Sequence, residues 1–532
     1  MSQTTTSEGI RVQDQEEFLG HPKGLYVCFF TEMWERFSFY GMKALLLLYL
    51  VKYHLFADSN GYNLLGAYGG LVYAVPVLGG LVADRWLGMR KSVVLGGVLL
   101  CLGHFGMAYE GHQAAMIDDR IVRDEHALQF FYFSLALIIT GVGFLKPNIS
   151  TIVGRLYPDN DPRRDSGFTI FYAGINLGAF IAPLLCGWLG ETYGWKYGFG
   201  LAGIGMVAGL INFIRGKKHF HGHAESQYPE RLEQKIWGIV RCETVIYLAA
   251  IAGVVVVWGL VQTHSVMLTL TAWLPPMSPV ILGMHTVTIC LLSGIFWFML
   301  KHCSQAERHR MQVLLVLIMG GLVFYTLYEQ TYGSWILFSD RLMNREAFGI
   351  EWSASQLSAL GAMFILLLSP LFAWLWPYLA KRGLNPGKPL KTALGILVGG
   401  FSFWILVYSI NHPQTNGLVS LWWLVLAYLV LEVGELMLSP IGLSAVTQLS
   451  VPRVVSLMMG AWFLGTSYSE VLAAQLGKLS VVEQVSGTNL DIVQAMSGYH
   501  GLFALLFWVG LGCGVLFLLL TPVLNKGMHG LK

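Results

Sequence analysis

Apolar residues gather into stretches of about twenty or more, long enough for a helix to cross the roughly 30 Å hydrocarbon core of a bilayer. Short polar segments separate them. This pattern predicts fourteen membrane helices, at roughly 25–53, 63–84, 92–109, 127–154, 166–189, 198–215, 244–262, 279–300, 311–338, 354–380, 390–410, 418–448, 454–478 and 498–524. The first six and the last six are comparable sets, with 244–262 and 279–300 as a hairpin between them. A hairpin leaves both sets running in the same direction, as in transporters built from two parallel six-helix bundles. The expected organisation is a tail at 1–24, a bundle at 25–216, a linker with the inserted pair at 217–308, a second bundle at 309–526 and a tail at 527–532.

Basic residues orient these spans. With the N-terminus inside, 24 Lys and Arg fall in the inner segments and 7 in the outer ones. The positive-inside rule then places both termini in the cytoplasm of a multi-pass protein of the cell (inner) membrane. The bias also supports the span count, because one missed helix would invert every later loop. The first apolar stretch carries Glu32, Glu35 and Arg36, so it reads as a span and not as a cleavable signal sequence.

Composition narrows the class. Only 12% of the 532 residues are charged, about half the share of a soluble domain. A soluble globular protein, a disordered chain and a secreted disulfide scaffold are excluded. The net charge of +3 gives no reason to expect nucleic acid. The seven cysteines form no CxxC and read as small core residues. His219, His221 and His223 alternate in a basic loop and read as solvated, and His104 reads as a core residue, so no metal is expected. No nucleophile triad, P-loop or zinc signature is present, so no catalytic residue is expected and the chain does not read as an enzyme. Membrane lipids are the expected surroundings, and nothing points to an obligate protein partner.

Nine charged residues stand inside spans: Glu32, Glu35, Arg36, Lys43, Lys146, Glu329, Glu432, Glu435 and Glu470. Each costs about 2.5–3.5 kcal/mol at a helix centre, so such residues pair, face a water-filled cavity and mark a substrate or proton path. Glu32, Glu35 and Arg36 stand at i, i+3 and i+4 on one helix face, which Tyr40 and Lys43 continue. At 1.5 Å per residue the two acids lie about 10–15 Å into the membrane, and Lys146 of the fourth span lies at about 12 Å. A Glu–Lys pair there would offset desolvation and open when the acid took up a proton. The second half contributes only acids to the interior, Glu329, Glu432, Glu435 and Glu470. A cavity between cations and carboxylates would be bipolar and fit a zwitterion, carboxylate toward Arg36, Lys43 and Lys146 and ammonium toward Glu435.

Five motifs carry a resemblance. Gly79 to Lys91, between the second and third spans, resembles the loop signature of the major facilitator superfamily. Glu32 to Gly41 reads ExxERFxFYG, Gly141 to Asn148 reads GxGxxKPN, Phe171 to Gly178 reads FYxxINxG, and Gly434 to Pro440 reads GELMLSP. Together they resemble the proton-dependent oligopeptide transporter family of that superfamily over essentially the whole chain. The resemblance implies an all-α major facilitator fold with a two-helix insertion of the bacterial kind. It implies symport of di- and tripeptides with protons by alternating access, driven by the proton gradient without a cofactor. By family position, Glu32, Glu35, Arg36 and Lys146 couple the proton. Arg36, Lys43 and Lys146 meet the peptide carboxylate, Asn176 and Glu435 the amino terminus, and Tyr40, Tyr73, Tyr325 and Trp462 the side chains, with Glu329 also among the binding residues. The family usually has Tyr where this chain has Phe39, and residues 63–84 hold no His, so coupling rests on carboxylates. The same cavity would suit another small zwitterion or anion, or a peptide sensor that does not transport.

Overall fold

The computed structural model describes residues 16–531 apart from 159–160, 162, 227–228, 237, 270, 272–274 and 482–490; residues 1–15 and 532 of the expected tails, and the Pro440 side chain, lie outside the description. Among the described residues are fourteen long helices. They are α1 (Lys23–Leu48, with a wider turn at Tyr49–Tyr53), α2 (Asp58–Leu87), α3 (Met89–Met107), α4 (Glu125–Arg155), α5 (Arg164–Tyr193), α6 (Trp195–Phe220), α7 (Cys242–Ser265), α8 (Pro279–His302), α9 (Gln305–Leu342), α10 (Gln356–Lys381), α11 (Lys388–Ile410), α12 (Leu421–Leu449), α13 (Val455–Gly477) and α14 (Ile492–Gly527). Each predicted span has its helix. Eleven of the fourteen hold an apolar window long enough to cross a membrane. The other three are α1, α3 and α13, and α1 is the one that carries the charged stripe.

Local chemistry sets several starts. Ser278 accepts from Ile281 N ahead of Pro279, so α8 opens on a polar cap and a pre-set proline. Ser304 and Glu307 form a reciprocal capping box on α9. Asp491 accepts from Val493 and Gln494 N at the head of α14. Within α9 the helix tightens into a 3₁₀ turn at Glu329–Tyr332 before resuming at Ser334–Leu342. Such a turn inside a long helix marks a hinge. It places the Glu329 and Gln330 side chains on the interior, and Gln330 Nε2 donates to Ala473 O at 2.9 Å.

The chain forms two compact units, Met1–Met42 with Ala74–Gly111 and Glu125–Gly259, and Lys43–Tyr73 with His112–Asp124 and Leu260–Lys532. In the first, α3 packs chiefly against α4 and α6. In the second, α11 packs chiefly against α12 and α14. The third helix of each six is thus the central post of its own unit, the same scheme twice. Glycine makes these contacts close. A Cβ on Gly96 of α3 would lie 2.5 Å from Gly141 O of α4, and one on Gly395 of α11 would lie 2.9 Å from Gly434 O of α12. Small residues that let backbones touch are the usual glue of membrane helices, where burying apolar surface gains nothing over lipid.

The inserted pair is built differently. Leu248, Ile251, Val255 and Val256 on α7, and Val287, Ile289, Trp297 and Leu300 on α8, are exposed apolar residues. In a bilayer these faces meet lipid tails. The loops carry the ion pairs. Asp84 is exposed, while Arg90 grips Glu225 at 2.5 and 3.1 Å and Lys91 binds Glu243 at 2.7 Å. The cations of the loop between α2 and α3 that follow Gly88 therefore bind residues 225 and 243. Arg163 hydrogen-bonds Asp161 and holds that carboxyl below its ordinary value.

Gly96→Ala should lower the melting temperature, by on the order of 1–3 kcal/mol of stability, as overpacking does. Gly253→Ala on α7, where a Cβ meets nothing within 4 Å, should stay within about 0.5 kcal/mol. Thermal unfolding of the two purified variants checks this.

Candidate functional site

In the first unit, the charged stripe of α1 is fully interior. Glu35 is 0% exposed, and Glu32 and Arg36 are 3% exposed. Arg36 Nε lies 3.1 Å from Glu32 Oε1 and also hydrogen-bonds Glu35. Two carboxylates thus hold one guanidinium, each pairing spanning less than two turns of the same helix. Phe39 supplies a third side, its ring centroid 5.1 Å from the guanidinium carbon. An aromatic face suits a buried cation. Lys146 of α4 is half-buried and within electrostatic reach of Glu32. The predicted grouping of Glu32, Glu35, Arg36 and Lys146 is therefore one cluster.

The motif glycines explain how α5 fits against it. A Cβ on Gly178 would lie 3.0 Å from Phe37 N and 3.1 Å from Arg36 Cβ, and one on Gly174 would lie 2.8 Å from the Phe29 ring. These two glycines, one turn apart, bring α5 onto α1 at the level of Arg36. Asn176, between them, is buried and donates to Tyr172 O at 3.0 Å. Tyr40 sits edge-on to Phe39, with centroids 5.2 Å apart.

The second unit holds Lys43. Its ammonium lies 2.7 Å from Glu329 Oε2 on α9 and 2.7 Å from Glu470 Oε1 on α13. The Tyr332 ring is 4.7 Å away. Lys43 is 1% exposed. Gly69 of α2 makes room for the acid, since a Cβ there would lie 2.5 Å from Glu470 Oε2. Sequence reasoning placed Lys43 and Glu329 in the site and left Glu470 out. Its signal was present, an acid inside a span, but a pairing 427 residues apart is not visible along a chain. At the start of α2, Arg341 binds Asp58 through two contacts at 2.5 and 2.8 Å, and Lys52 binds Asp340 at 2.5 Å. Together these pairs tie the end of α1 and the start of α2 to α9.

A polar chain continues from this cluster. The Tyr325 hydroxyl and Ser439 Oγ are 2.9 Å apart, and Ser439 donates to Glu435 Oε1 at 3.2 Å. Tyr328 hydrogen-bonds the same carboxylate. Trp462 lies edge-on to Tyr325 at 6.5 Å and covers Gly321. Glu432 is wholly buried with Glu435 as its acidic neighbour. The structure so brings Glu329, Glu435, Tyr325 and Trp462 into the unit that holds Lys43. Tyr73 of the same unit is half-buried on α2. Ser439 and Tyr328 were not singled out in the sequence, because a Ser and a Tyr within a helix carry no signal of their own. Among the described residues no group of three His, Cys, Asp or Glu is placed to hold a metal ion.

Lys43→Met leaves two buried carboxylates without their cation. A loss of about 3–5 kcal/mol is expected, because an uncompensated buried charge costs more than the pair contributes. Adding Glu329→Gln and Glu470→Gln to Lys43→Met should recover most of it, as read from the melting temperatures of the purified proteins.

A family model described as the POT family matches residues 90–494. The uncharacterized transporter YclF of Bacillus subtilis (strain 168) is 36% identical over 526 residues, covering 98% of each chain. The peptide transporter YePEPT of Yersinia enterocolitica subsp. palearctica serotype O:3 is 33% identical over 524 residues, covering 95% of each. Among solved structures, a peptide transporter POT in complex with sulfate superposes with a TM-score of 0.77 at 32% identity, covering 98% of this chain and all of that one. With a match this long, and with the buried charges of α1 in place, the chain belongs to the POT family of transporters.

Proposed function

We infer that this protein is a proton-coupled symporter that imports di- and tripeptides by alternating access. The observation that carries the reading is the buried Glu32–Glu35–Arg36 group of α1, in a multi-pass membrane chain of the POT family. The two buried acids share Arg36 and Lys146, and an acid whose cation turns to another partner is left charged in an apolar setting, which favours taking up a proton. Relatives named for di- and tripeptide transport support the substrate class. The inner membrane, cytoplasmic termini and a surrounding of lipid follow from the distribution of basic loops. Residues 25–216 and 309–526 are the two bundles whose rocking would expose the site to one side and then the other.

In this reading Arg36 and Lys146 attract the peptide carboxylate, and Lys43 joins them once its own carboxylates let go. Glu435, steered by Ser439 and Tyr328, and Asn176 receive the ammonium. Tyr40, Tyr73, Tyr325 and Trp462 offer ring surface to side chains of varied size. Coupling follows from competition. A proton on Glu32 or Glu35 frees Arg36 or Lys146 for the substrate, and loss of that proton restores the internal pairs and releases the peptide.

One elementary charge moving through 100 mV is worth about 2.3 kcal/mol, enough for roughly fifty-fold accumulation per net charge. Proteoliposomes with an imposed proton gradient should concentrate a labelled dipeptide on that scale, and a protonophore should abolish the excess. Accumulation that survives the protonophore would overturn the coupling. Lys146→Ala should lose concentrative uptake and reach only about equal concentrations on both sides, while Lys301→Ala in a loop stays near wild type. Competition by dipeptides but not by free amino acids distinguishes a peptide carrier from a carrier of another zwitterion.

A further inference from the structure

Lys43 is held by one carboxylate more than its charge can balance. Its ammonium donates at 2.7 Å to Glu329 and at 2.7 Å to Glu470, and all three side chains are at least nine-tenths buried. Among the described residues no second cation stands beside them. On α2 the residue against Glu470 is Gly69, without a side chain. From α9 the neighbour is the uncharged Tyr332 ring. From α12 the charged neighbour is Glu435, another acid, which faces Glu329. From α13 it is Ala473 and Ala474. With both carboxylates ionised the trio carries one net negative charge in an apolar interior, and Glu435 adds to it. A buried unbalanced charge is what such surroundings disfavour most. One proton makes the trio neutral.

The space for that proton exists. A cavity of about 10 Å³, lined by Glu329, Glu470, Leu65, Tyr332, Gly333 and Ala473, borders both acids. It is the size of a single water. It abuts the 3₁₀ turn at Glu329–Tyr332, the one place in α9 where the helix changes its winding.

We propose that Glu470 is a second proton-carrying carboxylate of this transporter, sharing one proton with Glu329 whenever both hold Lys43. The proton arrives from water, forms an O–H bond with one of the two carboxylates, and returns to water when the trio comes apart. Closing the trio therefore takes up one proton beyond any bound at Glu32 and Glu35. Gln at position 470 would keep the shape and the hydrogen bond to Lys43 while removing the excess charge, so E470Q closes without that proton. The inference rests on the proton-coupled reading above and adds a carrier to it.

Two measurements on the full chain test it. The first is infrared difference spectroscopy of the purified protein, which reads the carbonyl stretch of protonated carboxyl groups. At neutral pH the wild type should show a band that E470Q loses, while E432Q leaves that band in place. A spectrum of E470Q with the same protonated carboxyls as wild type would overturn the proposal, and this holds even for a variant that no longer transports. The second is the peptide gradient at which net flux stops in proteoliposomes held at zero membrane potential under an imposed pH gradient. Each carried proton shifts that gradient about tenfold per pH unit. E470Q should balance at a peptide gradient about tenfold smaller per pH unit than wild type, and an unchanged balance point would also overturn the proposal. A wild type whose balance point ignores the pH gradient would instead refute proton coupling itself, so the two failures are distinct.

Discussion

Everything in this protein turns on the burial of charge along α1. A single continuous helix, Lys23–Leu48, carries Glu32, Glu35, Arg36 and Lys43, and each of the four is at most 3% exposed. In water such a stripe would cost nothing. Inside a membrane each member must find a partner, and the rest of the structure supplies them. Arg36 takes its partners from its own helix, and Lys43 takes its partners from α9 and α13. Seven residues separate the two cations, about 10 Å along one helix face. The local pairs need no other helix, whereas the Lys43 trio forms only when three helices are in register. The first group can therefore persist in any arrangement of the helices, while the second exists only when α1, α9 and α13 meet.

Close packing serves this requirement. Charged side chains at the centre of a helix bundle can meet only if backbones approach, and the glycines of the motifs permit that. Gly174 and Gly178 seat α5 on α1 beside Arg36, Gly96 and Gly141 join α3 to α4, which carries Lys146, and Gly69 leaves room for Glu470. The glycines of FYxxINxG and GxGxxKPN thus have a mechanical content: Gly178, with Gly174 one turn before it, meets α1, while Gly141 and Gly143 let α3 and α2 approach α4. The 3₁₀ turn at Glu329 adds the complementary feature, a point of weakness in a long helix placed at the acid that holds Lys43.

The helices were legible in the sequence because lipid imposes a length and a hydrophobicity on every span. The α1 cluster was legible for a related reason, since charges at i, i+3 and i+4 declare a shared face without any tertiary knowledge. Lys146 could be placed from depth alone. The partners of Lys43 could not. Glu329 and Glu470 are separated from it by 286 and 427 residues, and nothing in periodicity links α1 to α9 and α13. The partner of Arg90 was equally out of sight, because Glu225, which that arginine binds, lies 135 residues away. Residues such as Ser439 and Tyr328 are ordinary in a helix and gain meaning only from the carboxylate beside them.

The most direct test of the account is whether peptide movement by itself carries protons. Proteoliposomes at equal internal and external pH, with the membrane potential clamped and a pH-sensitive dye inside, receive a dipeptide on the outside only. The account expects the interior to acidify as the dipeptide enters down its own gradient, and expects no acidification from empty liposomes or from a free amino acid. Uptake of the labelled dipeptide with no change in internal pH would contradict it, because the buried carboxylates of α1 would then be structural and the transport uncoupled from protons.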